Sequence, residues 1–225
     1  MKNLNIYQYI EEFDLNKTNF LEFVTTLCNY FSERFKVRKC DIKTINLEAN
    51  EKYGGYVPPA RFGCALRKHK NLDTQEEWTE RIESIDFSTQ LLESINKARI
   101  IKLAGHEWMH FYDYLFKWGE LKIEEADEEY KDLILKSHEY DEMQESIRNK
   151  YQDVKAFICI DKLSAKETVA DKFAQTFLKE LYKNISNENL KRKIEEQVIN
   201  HDKQIEEYKS YLENNEIEED CIIDL

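Results

Sequence analysis

Gly105-His106-Glu107-Trp108-Met109-His110 lies inside 91–118, a stretch with no proline and a single glycine, Gly105. The apolar residues Leu91, Leu92, Ile95, Ala98, Ile101, Leu103, Trp108, Met109 and Tyr112 spread round most of a helical circumference. That pattern predicts one long helix over 91–118, ending near Gly119 and buried on more than one side. On such a helix His106 and His110 are four residues apart, so their rings project from one face about a turn from each other. Two imidazole nitrogens so placed can share one Zn2+, with Glu107 beside the metal rather than on it. A glutamate there can accept a proton from water acidified by the metal and return it to a leaving amine. Histidine and glutamate also gather on solvated helix faces without consequence, but this helix is largely apolar around them.

Two histidines leave a catalytic zinc site incomplete, because three protein ligands and one open position are usual. The residues that follow, Phe111-Tyr112-Asp113-Tyr114-Leu115-Phe116-Lys117, contain no further histidine. Farther on, Lys166-Glu167-Thr168-Val169-Ala170-Asp171-Lys172-Phe173-Ala174 puts Glu167 and Asp171 four apart on one helix face. Glu167 is the candidate third ligand. Asp171 is the candidate acceptor for the far N–H of a zinc-bound histidine, a contact that fixes the ring and raises its basicity. A second role competes for Glu167, since Ser164-Ala165-Lys166-Glu167 is also a capping box in which the glutamate reaches back to the helix start. His138 and Glu139 come next, in a strongly charged segment that predicts solvated side chains. Tyr112, Tyr114, His138 and Tyr140 could each donate to an oxyanion opposite the metal, and no spacing selects one.

Working outward from the motif, Phe20, Phe23, Val24, Leu27, Phe31 and Phe35 predict an amphipathic helix over 18–35. Strands are expected over 40–47, 61–66 and 82–88, with the strongest turn at Gly54-Gly55-Tyr56-Val57-Pro58-Pro59. The stretch 120–153 is highly charged and helix-favouring, and predicts a solvated hairpin or single helix. The apolar run 154–160 has no decided type. Helices are expected over 165–183 and 188–214, with a frayed tail over 215–225. The fold class is α+β and mostly helical: a small mixed sheet packed on the motif helix, with additional C-terminal helices. All of 1–225 is read as one domain. Its parts are an N-terminal helical part (1–38), strands plus motif helix (39–118), a charged helical insertion (119–160), and a third-ligand helix with a C-terminal helix (161–225).

Composition narrows the function classes. Of the residues, 41% are hydrophobic, enough for a real core, while 35% are charged, which points to long solvated helical faces. The net charge of −12 repels phosphate backbones and anionic membrane surfaces, so neither nucleic acid nor membrane is an expected partner. The short basic runs at 34–39 and 67–70 read as solvated surface. The start has no apolar run of the signal-peptide kind, and no later stretch is long enough to span a bilayer. Cys28, Cys40, Cys64, Cys159 and Cys221 are odd in number and scattered, a poor match to a disulfide framework or a thiolate site. Buried free thiols in a cytoplasmic protein are the expectation.

An HExxH helix followed by a helix beginning Glu167-Thr168-Val169-Ala170-Asp171-Lys172-Phe173-Ala174 resembles the zincin metallopeptidases of the glutamate-ligand (gluzincin-like) type. In style it is nearest to the ImmA/IrrE-type proteins. The resemblance implies His106, His110 and Glu167 as zinc ligands, Glu107 as general base, and a sheet edge that receives a peptide by strand addition. The chain departs from that pattern at Met109, where a glycine is usual, and in the long gap between His110 and Glu167. The expected activity is zinc-dependent hydrolysis of a peptide or protein substrate. The alternative is a catalytically silent module of the same fold that works through protein–protein contacts.

Overall fold

Phe20, Phe23, Val24, Leu27 and Phe31 recur at three- and four-residue intervals, and in the computed structural model all of them face inward from one helix. The structure describes residues 5–48, 57–70, 77–151, 153–219 and 221–223, with backbone only at Trp78. Helix α1 (Ile6–Glu12) is capped by the Asn5 side chain, which accepts from the N–H groups of Tyr7 and Gln8. Helix α2 (Phe20–Arg34) follows, then strand β1 (Asp41–Ile45), β2 (Ala60–Lys70) and β3 (Glu77–Ser88). The motif helix α3 (Lys97–Lys117) leads into α4 (Lys131–Lys150), α5 (Val154–Leu163), α6 (Ala165–Asn184) and α7 (Glu188–Asn214). Short 3-10 turns occupy Thr89–Leu92 and Ile123–Glu125.

The fold is α+β and mostly helical, with a small mixed sheet of order β1-β3-β2. Strand β1 runs parallel to β3, and β2 runs antiparallel to it, with Ala60 opposite Phe87 and Lys70 opposite Glu77. The Ser88 N–H donates to the Pro59 carbonyl at 2.8 Å, which sets the phase of this ladder. By that phase Arg61 and Gly63 bond inward to β3, while Ala60, Phe62, Cys64 and Leu66 turn their N–H and C=O groups to the open edge.

The main core joins α1, α2, α3, α6, the N-terminal part of α7 and the inner faces of β2 and β3. Its centre is aromatic. Phe31 meets Phe173 edge-on at 5.1 Å, Trp108 lies 5.3 Å from Phe173, and the Trp108 indole N–H donates to Ser32 Oγ at 3.0 Å. Gly105 faces α6 at the closest approach of the two helices, where a Cβ would stand 3.4 Å from the Ala174 Cα. A second, smaller core lies under α4, α5 and the end of α7, built on Tyr140, Ile147, Phe157, Ile160, Leu163 and Leu212.

Several expectations need correction. The helix predicted from 91 begins at Lys97, because Asn96 caps it by accepting from the Arg99 N–H, and a separate 3-10 turn capped by Ser88 precedes it. Strands β2 and β3 extend well past 61–66 and 82–88, so the basic run at 67–70 is strand, with His69 against Glu80 at 2.8 Å and Lys70 against Glu77 at 3.4 Å. The charged segment holds a single helix, one of its two expected forms, but it is not wholly solvated, since α4 buries Ile134, Ser137, Tyr140 and Ile147. The undecided run at 154–160 is helix α5, started by the Asp153 side chain. None of the five cysteines is in a disulfide; Cys28, Cys159 and Cys221 are buried, but Cys40 is half-buried and Cys64 is exposed. The predicted turn at Gly54 to Pro59 lies outside the described residues as far as Tyr56. No helix among the described residues is long and apolar enough to cross a membrane.

Candidate metal centre

His106 and His110 project from the same face of α3, their ring centroids 4.7 Å apart. Helix α5 ends at Leu163, Ser164 turns the chain, and α6 starts at once, so the first turn of α6 meets that face of α3. Glu167 stands on this turn. His106 Nε2 and His110 Nε2 lie 3.1 Å apart, His106 Nε2 is 3.5 Å from Glu167 Oε2, and His110 Nε2 is 3.3 Å from Glu167 Oε1. Zinc–donor bonds of about 2.0–2.1 Å in a tetrahedron separate neighbouring donor atoms by about 3.3 Å. The separations are of that size, although the two histidines approach different oxygens of Glu167, and the three residues form the one cluster among the described residues whose ligand atoms lie close enough to share a metal.

The capping role and the expected ligand role of Glu167 call on different atoms. Its backbone N–H donates to Ser164 Oγ at 3.5 Å, while the N–H of Ser164 goes to the Asp161 carbonyl. The carboxylate does not reach back to the helix start. It faces the two histidines and accepts from Lys162 Nζ at 2.5 Å.

Asp171, one turn farther along α6, accepts from His106 Nδ1–H at 2.9 Å. That hydrogen bond fixes the ring and leaves Nε2 to supply a lone pair. His201, from α7, brings Nε2 within 2.9 Å of the other Asp171 oxygen, outside hydrogen-bond geometry. His110 Nδ1 is buried with no hydrogen-bond partner.

The electrostatics call for positive charge. Burial by itself raises the Glu167 and Asp171 carboxyls, yet both are held low, Glu167 by Lys162 and the two histidines and Asp171 chiefly by His106. Burial disfavours a charged His106 ring, but Asp171 and then Glu167 outweigh it and push its pKa up to about 10. Burial likewise works against the Lys162 ammonium, and Glu167 and Asp161 more than reverse it. Without a metal, the two carboxylates are therefore balanced by protons on His106 and Lys162. A divalent cation can take the place of the His106 proton, since neutral imidazole is the ligand form.

Glu107 is 7% exposed, and its Oε2 accepts from the Phe62 N–H, one of the edge-facing donors of β2, at 2.6 Å. The carboxylate therefore stands between the His106–His110–Glu167 cluster and the open strand edge. It lines two hollows that meet there. The first, of about 470 Å3, has Phe62, Tyr114 and Trp118 in its wall, and the second, of about 670 Å3, lies between α3, α5 and α7.

Other predicted donors are committed elsewhere. Tyr140 donates to Asp161 at 2.7 Å and is buried in the second core. Tyr112 stacks on Trp108. His138 is not solvated as expected but bound to Asp113 at 3.0 Å. Tyr114 lines the first hollow, its hydroxyl 2.7 Å from Cys64 Sγ. Two residues that sequence reasoning passed over, Lys162 and His201, touch the centre. Neither had a spacing to betray it: Lys162 is folded back by the turn at Ser164, and His201 arrives from a separate helix.

No family model matches this chain, and neither the curated proteins nor the solved structures contain a match.

Proposed function

We propose that this protein is a zinc-dependent peptidase of the glutamate-ligand zincin type, with His106, His110 and Glu167 as ligands and Glu107 as general base. The observation that carries the reading is the gathering of two Nε2 atoms and the two Glu167 carboxylate oxygens, with contacts of 3.1–3.5 Å, beside Glu107 in an open hollow. Zinc, when bound, supplies a Lewis acid that polarises a peptide carbonyl and acidifies water. The rest falls to the chain's own groups. Asp171 holds His106 in the tautomer that can ligate. Glu107 takes the proton of the attacking water and delivers it to the leaving amine. The outward N–H and C=O groups of Ala60 and Cys64 on β2 offer a substrate backbone a strand to pair with, Phe62 N–H being held by Glu107.

The test is metal analysis followed by the Glu107→Gln variant. The purified protein should carry about one zinc per chain, a stoichiometry set by one three-ligand site. Glu107→Gln should keep the zinc and the fold while lowering peptide cleavage by about 10²–10⁴-fold, the usual weight of a general base. A biological effect that survives Glu107→Gln in full would favour the silent, protein-binding module over the peptidase.

A further inference from the structure

The two hollows that meet at Glu107 differ in how their charges are engaged. In the first, the lining cations are all paired. Arg61 faces Asp86 at 3.5 Å, Lys117 and Lys166 both hold Asp141 at 2.5 and 2.8 Å, and Lys162 holds Glu167 at 2.5 Å. With Phe62, Tyr114 and Trp118 beside them, these groups make a wall with little charge left to offer. The second hollow shares Lys162 with the first and adds Arg99 and Lys102, which precede His106 on α3 by seven and four residues and share its stripe. Among the described residues neither side chain takes part in an ion pair or a hydrogen bond.

The acids that line this hollow, Glu107, Glu167 and Asp171, all belong to the metal centre. Across from Lys102, α7 contributes the amides of Gln197, Asn200 and Gln204. Burial pushes the Lys102 pKa down; Asp171 and Asp202 oppose this, and Lys162 adds to it. A partly desolvated ammonium with no contact partner is costly, and a carboxylate arriving beside it relieves that cost. Lys102 is half-buried without a contact partner and shares this hollow with the α7 amides, while Arg99 is exposed at its rim.

We propose that this second hollow is a subsite for the carboxylate side chain of a Glu or Asp residue in the peptide substrate, bound by Lys102 with Arg99 at the rim. The assignment rests on the peptidase reading and names its substrate class: an acidic residue on the α7 side of the cut, with an apolar or aromatic residue favoured on the Tyr114 and Trp118 side.

The experiment uses two peptide libraries with blocked termini, alike except that the scanned position is Glu in one and Gln in the other. Cleavage is measured with the zinc-loaded protein and binding with its Glu107→Gln variant. At one position relative to the cut, Glu should be preferred by about tenfold or more, the effect of one charge-assisted hydrogen bond in a sheltered site. Lys102→Met should erase that preference with zinc content retained, Lys102→Arg should keep it, and Lys102→Glu should turn it toward Gln. The subsite is overturned if no position prefers Glu, or if the preference persists in Lys102→Met. If no library is cut while Glu107→Gln still binds the Glu library through Lys102, the subsite stands and the hydrolytic reading goes. Absence of both cleavage and Lys102-dependent binding overturns both.

Discussion

Helix α3 carries histidine–carboxylate chemistry on two of its turns, and the two clusters end differently. At its C-terminal side Asp113 is 4% exposed, and each of its oxygens has a donor: Ser137 Oγ–H at 2.7 Å and His138 Nε2–H at 3.0 Å. Both oxygens are thus tied to neighbouring side chains. One turn earlier, His106, His110 and Glu167 point lone-pair atoms at a common centre, and His110 Nδ1 is left buried without a partner. Matched donors and acceptors complete a piece of structure, as at Asp113. Carboxylates and imidazoles gathered round one point are not closed in that way: a proton on His106 or a bound cation can balance them. Residue types are nearly the same in both clusters, so geometry alone separates a fastening from a binding site.

The largest test of that contrast is metal retention. His106→Ala or His110→Ala should leave the dialysed protein with essentially no bound zinc, because two ligands cannot hold a catalytic-type site closed against solvent. His138→Ala, the same change in the other cluster, should leave zinc content untouched. Equal zinc in all three variants would erase the distinction drawn between the clusters.

A smaller effect is expected one contact out from the ligands. Asp171→Asn keeps the shape of the acceptor to His106 but removes its charge, and should weaken zinc affinity by about 10–100-fold, measured by competition with a chelator. Unchanged affinity would mean that the Asp171 contact is incidental to the centre. Ser137→Ala probes the other side. It strips one donor from the buried Asp113 carboxylate and should lower unfolding stability by about 1–2 kcal/mol in urea, with zinc affinity unaffected.

The same contrast explains what the sequence could reveal. The HExxH spacing and the apolar surroundings of α3 are local, so His106, Glu107 and His110 could be picked out before any tertiary contact was known. Glu167 was ambiguous because a capping box uses its backbone N–H as well as its side chain, and only the meeting of α6 with α3 shows the carboxylate turned away from the cap. Helix α4 was misjudged because its buried stripe includes Ser137 between charged neighbours. Its polar partner, Asp113, sits 24 positions earlier in the chain. The outer halves of β2 and β3 were missed for a related reason. Residues 66–70 are mostly exposed, so no burial imposes an alternation of apolar and polar side chains there. The boundaries of α6 and α7, by contrast, were almost fully legible, since Ser164 and Asn187 cap helices whose apolar stripes begin at once.

The smallest effect is the pH dependence of His138. Its hydrogen bond to Asp113 comes first among the causes that raise its pKa above the ordinary histidine value; burial opposes this, and the charge of Asp113 and more weakly of Asp141 supports it. A group whose pKa is higher in the folded than in the unfolded chain stabilises the fold fully below its unfolded pKa, about 6.5 for histidine. That contribution is lost as pH rises through the folded value. One proton sets the ceiling, so the slope is at most about 1.4 kcal/mol per pH unit. Urea unfolding of the parent protein and of His138→Gln, compared from pH 6 upward, should show the parent's advantage shrinking as pH increases. Because the metal-centre histidines are the same in both proteins, their titration cancels in the difference. A difference that stays flat with pH would mean that the Asp113–His138 contact carries no proton-linked stability. The second cluster would then be held by the Ser137 hydrogen bond and packing alone.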